Sequence, residues 1–325
     1  MSINMDLSAP IFVAGHRGLA GSAIMRRLQS IGYNNLLFRT RQELDLLNSG
    51  AVHSYFKETR PEYVFLAAAK VGGILANRDF PADFISQNLR IQSNVIEESF
   101  RWGVKRLLFL GSSCIYPKLA RQPLQEEELL TGPLEFTNRA YSIAKIAGIE
   151  MCFSFNRQYG TQYLAAMPTN LYGPGDNYDL QTSHVLPALI RKIHEAIVRG
   201  EEQVTVWGTG NPLREFLYSD DMADACVYLM NLQQSDFAKL TSSRDTPPIV
   251  NVGFGTDITI RELAETIADV LGFRGRIVFD KEKPDGTPRK LLDSSKLFSL
   301  GWRPKIQFRE GIRRAYDDFR MRHPV

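Results

Sequence analysis

Gly15, Gly18 and Gly21, three residues apart and placed directly after the apolar run Ile11–Ala14, restrict this chain more than any other feature. Four apolar residues ending in glycine, followed by Ala20, Ala23, Ile24, Leu28 and Ile31 at helical spacing, predict strand, tight turn and helix in that order. In such a unit the first glycine makes the turn and the third lets the helix approach the strand. Backbone amides and the positive end of the helix dipole then converge where a pyrophosphate can be held. The expected cradle comprises Gly15, His16, Arg17, Gly18, Leu19, Ala20 and Gly21.

Further apolar runs at Leu36–Phe38, Tyr63–Ala67 and Leu107–Leu110, with helix-like segments between them, give the pattern of βαβ units around a parallel sheet. The runs do not alternate with polar residues, which fits strands covered by helices on both faces. Gln162–Met167, Ile249–Val252 and Arg276–Phe279 read as further strands. Thr259-Ile260-Arg261-Glu262 has the spacing of a capping box opening a helix to Leu271, and a terminal helix begins at about Phe308. Residues 171–177 and 284–288, rich in turn formers, are expected to form loops over a cleft.

With 325 residues, the chain is about twice a domain of roughly 150 residues. Lacking repeats and low-complexity linkers, it is expected to pack as one body. The division expected is a nucleotide-binding domain over 1–170, to which about 214–256 return, and a smaller domain from 171–213 and 257–325. A content of 44% hydrophobic and 23% charged residues excludes a disordered or fibrous chain, and a net charge of +3 gives no reason to expect nucleic acid. Cys114, Cys152 and Cys226 are too few and too scattered for a disulfide framework or a CxxC metal site, so no metal is expected. The N-terminus resembles no signal peptide and no apolar run could span a bilayer; a reducing, cytoplasmic setting without membrane attachment is expected.

Where NAD-binding units place an acid after the second strand, about twenty residues beyond the glycines, this chain has Arg39 and Arg41, with Arg17 inside the glycine loop. Guanidinium groups there suit a 2′-phosphate, so NADP(H) is expected over NAD. The fourth strand ends in Gly111-Ser112-Ser113-Cys114, and Tyr141 and Lys145 follow at i and i+4 on one helix face. A lysine beside a phenol favours the phenolate, and a strand-end serine can bond the same substrate oxygen. Tyr141 is the expected proton donor.

Together, Gly15–Gly21, Ser112, Tyr141 and Lys145 resemble the extended short-chain dehydrogenase/reductase family, whose members modify nucleotide-linked sugars. AGHRGLAGSAI (14–24), AAAKVGGILAN (67–77), LFLGSSCIYPK (108–118), YSIAKIAG (141–148), MPTNLYGPGDN (167–177), SHVLPALIRK (183–192) and KPDGTPRKLLD (283–293) carry the similarity over essentially the whole chain. They narrow it to the bifunctional 3,5-epimerase/4-reductases that act on GDP-4-keto-6-deoxy-D-mannose. The resemblance implies an α/β fold: a Rossmann-type doubly wound parallel sheet with a smaller α/β C-terminal substrate-binding domain. It implies Cys114 as base and His184 as acid of the epimerisations, Tyr141 as donor to the C4 oxygen, Lys145 holding the nicotinamide ribose and lowering the Tyr141 pKa, and Ser112 orienting the keto oxygen. The residue types suit the work, since a thiol and an imidazole both change charge near neutral pH.

By the same resemblance Leu110, Gly111, Ser112, Ser113, Pro168, Thr169, Asn170, Leu171, Lys145 and His184 line the nicotinamide half. Lys192, Trp207, Arg214 and Asp285 match contacts to the GDP-sugar. Position 192 is Lys where the family often has Arg, which keeps the charge and loses the fork. A homodimer is implied through 88–102 and 139–158, with Phe84, Ile91, Val95 and Phe100 facing either the partner or the sheet. Two other readings stand beside this one. The first is an NAD(P)-dependent nucleotide-sugar 4-epimerase or 4-reductase acting on another sugar; the second is an NADP(H)-binding sensor or scaffold without catalysis.

Overall fold

The computed structural model describes residues 4–283 and 285–323; Pro284, at the head of one expected loop, lies outside them. The first half alternates strand and helix: β1 (Ile11–Ala14), α1 (Leu19–Ser30), β2 (Leu36–Leu37), α2 (Ser49–Thr59), β3 (Tyr63–Leu66), α3 (Ile74–Asp79), α4 (Pro81–Arg101), β4 (Arg106–Leu110), α5 (Arg139–Tyr159) and β5 (Tyr163–Pro168). β6 (Asn170–Tyr172), α6 (Val185–Arg199), β7 (Gln203–Trp207) and β8 (Leu213–Tyr218) lie outside that sheet, whereas α7 (Ser219–Met230) and α8 (Gln234–Thr241) lead to β9 (Ile249–Val252), which rejoins it. β10 (Asp257–Thr259), α9 (Ile260–Leu271), β11 (Arg276–Asp280), β12 (Arg289–Lys290), α10 (Ser295–Ser299) and α11 (Phe308–Arg322) follow.

The main sheet is parallel, in the order β2-β1-β3-β4-β5-β9. Every residue of β1, β3, β4, β5 and β9 is buried, as the unbroken apolar runs predict. Successive side chains enter opposite layers: Val13, Phe65 and Leu108 join a core with α1 and α7, while Phe12, Val64 and Leu107 join one with α2, α4 and α5. Burying such a side chain stabilises the fold by about 1.5–3 kcal/mol, so both helix layers are firmly fixed. Strand order reverses between β1 and β3, the place where doubly wound sheets bind ligands at their carboxyl ends.

The smaller unit is built around β8, which pairs with β10, β12 and β6, and around the parallel pair β7 and β11. A third core, containing Leu186, Ile190, Leu263, Ile267, Ile312 and Phe319, joins α6, α9 and α11 beneath them. The capping box forms: Glu262 Oε2 accepts from Thr259 N at 2.8 Å and Thr259 Oγ1 accepts from Glu262 N at 3.0 Å.

Leu213–Tyr218 is held in the smaller sheet by pairing on both edges, and the chain returns to the main sheet through α7 and α8. One expectation needs correction. Leu171 and Tyr172, expected in a loop, form β6 through pairing with Leu217 and Tyr218. Of the residues considered for a partner, Phe84 and Val95 are buried within this chain. Phe100 is exposed and stacks on Tyr159 with ring centroids 4.3 Å apart.

Candidate active site

The glycine loop joins β1 to α1 in the expected way. Gly15 has φ +88°, and a Cβ there would lie 2.7 Å from Ala68 N on the neighbouring β3 crossover. A Cβ on Gly21 would run into the Gly15 carbonyl, so only glycine lets α1 approach this closely. Gly18 caps α1 and donates to Gly15 O at 3.0 Å. A twelve-residue helix thus presents its amino end beside a turn with no side chains in the way, a geometry that fits a dinucleotide pyrophosphate.

Arg17, Arg39 and Arg41 are exposed around this loop. The Arg39 guanidinium lies 5.4 Å from the Tyr55 ring centroid, and its Nη1 donates to Phe38 O at 2.8 Å. His16 packs on Phe38, and burial lowers its pKa. Sequence reasoning overlooked one nearby acid, Glu43. Its carboxylate accepts from Thr40 N at 2.7 Å, and that bond first, then Arg39 and Arg17, hold its pKa down. The acid shapes the turn after β2, leaving a net positive rim.

Ser112, at the end of β4, accepts from Cys114 N at 3.3 Å through its hydroxyl. Its other neighbour is Tyr141. Burial raises the Tyr141 pKa well above the usual phenol value, with Cys114 adding to the rise and a hydrogen bond with Ser112 opposing it. At its ordinary value or above it, the Tyr141 phenol is protonated at neutral pH, the state a donor needs. Lys145 Nζ donates to Leu110 O at 2.7 Å and lies 5.8 Å from the Tyr141 ring centroid. Burial alone pulls its pKa down from 10.5 to about 7. Phe84 meets Tyr141 edge-on, which fixes the phenol ring from the α4 side.

Cys114 begins the next shell. Asn138 Nδ2 donates to its Sγ at 3.2 Å, and Lys290 Nζ approaches the sulfur at 3.6 Å. A thiolate formed there meets a donor and a cation, the surroundings in which thiolates are used. Lys290 comes from β12, whose neighbour Arg289 is anchored to Asp257 at 2.6 Å. His184 caps α6; desolvation first, then the charge of Lys290, lower its pKa. Sequence reasoning did not assign Asn138, Lys290 or Phe84. Lys290 stands within the 283–293 stretch, but only β12 pairing shows that it reaches Cys114.

Arg214 and Lys290 are register partners on β8 and β12. The Arg214 guanidinium is largely enclosed, and burial lowers its pKa while Asp285 opposes the change. Lys192 Nζ lies 5.6 Å from the ring centroid of Trp207, which is 60% exposed and open to stacking. Asp285 is already engaged: Thr209 N and Oγ1 donate to it at 2.9 and 2.7 Å. It ties its loop to the turn after β7. Thr169 and Asn170, at the junction of β5 and β6, both donate to Glu215 O and join the two units at the cleft floor.

Residues 11–253 match the model of the NAD dependent epimerase/dehydratase family. The GDP-L-fucose synthase 1 of Arabidopsis thaliana is 57% identical over 96% of this chain and 93% of its own length. The GDP-L-fucose synthase of Escherichia coli (strain K12) is 55% identical over 95% of this chain and 96% of its own. Among solved structures, a GDP-L-fucose synthetase from Naegleria fowleri bound to NADP superposes with a TM-score of 0.87 at 27% identity, covering 100% of this chain and 97% of that one.

Proposed function

The chain belongs to the NAD dependent epimerase/dehydratase family, and on that premise we propose that it converts GDP-4-keto-6-deoxy-D-mannose to GDP-L-fucose. The two half-reactions are epimerisation at C3 and C5 and NADPH-dependent reduction at C4. One juxtaposition carries this reading: a thiol with an amide donor and a lysine cation stands two residues from a serine that bonds Tyr141. Relatives that are 55–57% identical over nearly the whole chain and named GDP-L-fucose synthase support it.

The cofactor fits the residues present, with its pyrophosphate on the glycine loop and its 2′-phosphate among Arg17, Arg39 and Arg41. When bound, NADPH supplies hydride to C4. Cys114 takes a proton from C3, and the C–H electron pair moves into the enolate of the 4-keto group. His184 returns a proton to the opposite face, inverting the centre; water then takes the proton from Cys114 and reprotonates His184, and the same exchange at C5 inverts the second. Ser112 and Tyr141 hold the C4 oxygen throughout. Tyr141 gives its proton to that oxygen as hydride arrives, and Lys145, poised near neutrality, restores the phenol. Arg214 and Lys192 hold the diphosphate and Trp207 offers a stacking face.

Among the described residues no helix is long and apolar enough to cross a membrane. We place the enzyme in the cytoplasm, where its three free cysteines stay reduced, and expect a homodimer through the faces of α4 and α5 around Phe100 and Tyr159. The decisive experiment is incubation with GDP-4-keto-6-deoxy-D-mannose and NADPH in heavy water. NADPH oxidation with deuterium at C3 and C5 of GDP-L-fucose is expected. Reduction without label would leave a plain 4-reductase, and no turnover would point to another nucleotide sugar.

A further inference from the structure

Between β3 and α3 the chain makes a turn through Gly72 and Gly73 that takes no part in the chemistry described above. Asn77, one turn into α3, is buried and grips this turn: its Nδ2 donates to Gly72 O at 2.8 Å and to Gly73 O at 3.1 Å. Asn88 of α4 fixes the start of the same loop, accepting from Lys70 N at 2.8 Å and donating to Lys70 O at 3.0 Å. Gly73 N in turn donates to Thr182 O at 3.0 Å, two residues before His184.

The segment carrying His184 is otherwise bonded mainly to itself. Asp179 Oδ1 accepts from Thr182 N and Thr182 Oγ1, each at 2.9 Å. Ser183 Oγ is buried without a partner among the described residues. The bond from Gly73 is therefore its tie to the nucleotide side of the cleft. On its other side α3 packs on the turn Phe136–Asn138, whose Asn138 bonds Cys114. One short helix and its leading turn thus touch the supports of both groups assigned to the epimerisations.

We propose that Asn77 is a positioning residue that, through the Gly72–Gly73 turn, holds His184 at its working distance from Cys114. The inference rests on the assignment of His184 and Cys114 given above. Asn77 touches neither substrate nor cofactor in this role; it fixes backbone carbonyls. Ser112, Tyr141 and Lys145 stand on β4 and α5 and do not depend on that tie.

Asn77→Ala is expected to lower deuterium incorporation at C3 and C5 by roughly ten- to a hundredfold, the effect of misplacing a catalytic group by about 1 Å. Reduction of a supplied, already epimerised GDP-4-keto sugar should fall clearly less than exchange does, since Ser112, Tyr141 and Lys145 stand on other elements and only His184, among the residues placed at the nicotinamide, is displaced. Gly73→Ala gives a second reading: its methyl would meet Thr182 O at 3.0 Å and Ser183 O at 3.1 Å, pressing the segment away with all of Asn77's bonds intact. It should show the same selective loss. Equal losses in both half-reactions, tracking a lowered Tm, would mean a merely structural role and overturn the proposal. So would exchange at the normal rate in both variants. If the unaltered protein itself incorporates no deuterium while reducing C4, the reaction assignment fails and this inference falls with it.

Discussion

Ser112, Tyr141 and Lys145 stand on two neighbouring elements of the nucleotide-binding half, the end of β4 and one face of α5. The groups around Cys114 have a different origin. Asn138 precedes α5 and Lys290 arrives on β12, so two separate stretches meet at one thiol, while His184 caps α6. The electrostatics differ as well. Around Tyr141 burial dominates, raising the phenol and lowering Lys145, whereas the cation Lys290 stands at Cys114 with Arg214 as its register partner. The group proposed for the reduction is thus local and set by dehydration. The group proposed for the epimerisations is an assembly drawn from both units.

The sharpest way to break this comparison is a reciprocal pair of variants. Tyr141→Phe should lower hydride transfer by about 10²–10⁴-fold while C3 and C5 exchange continues. Cys114→Ser should abolish exchange while an already epimerised substrate is still reduced. NMR of the deuterated sugar and absorbance of the nicotinamide report the two processes separately. Loss of both activities in either variant would mean that the two groups work as one.

A smaller effect is expected at the cofactor rim. Replacing Arg17, Arg39 and Arg41 together with Ala should reduce the preference for NADPH over NADH by roughly tenfold or more, since charge-assisted hydrogen bonds are worth about 1.5–3 kcal/mol. Comparing kcat/KM for the two cofactors checks it. An unchanged preference would mean that the 2′-phosphate lies elsewhere.

A further effect, on a different quantity, concerns stability. The Lys145 pKa is about 7 folded against 10.5 in its ordinary state, so folding expels a proton between those values. Above 10.5 the cost vanishes; as pH falls through the window it grows, and below about 7 it is fully present. Lys145→Met should therefore unfold later than the unaltered protein at pH 6, with the advantage shrinking as pH rises. Urea denaturation at pH 6 and pH 9 tests the sign. A variant less stable at both, by the same amount, would mean that the bond to Leu110 O outweighs dehydration.

The glycine loop, the buried strands β1, β3 and β4, the capping box of α9 and the Tyr141–Lys145 face were all legible because each is encoded within a few residues. The small sheet was not. β7 alternates exposed and buried residues, and β12 contains only Arg289 and Lys290, a dipeptide without strand character until β8 pairs with it. Phe84 and Val95 illustrate the same limit on α4, where an apolar stripe does not say which neighbour it meets.

The sequence by itself determined a parallel α/β sheet with a dinucleotide cradle, because unbroken apolar runs, glycine placement and i, i+4 spacing are each encoded within a few residues of the chain. Tertiary structure alone decided that Lys290 and Asn138 attend Cys114 and that Asp285 holds Thr209. Those depend on distances between residues far apart in the chain and on the exclusion of water, which local spacing does not encode.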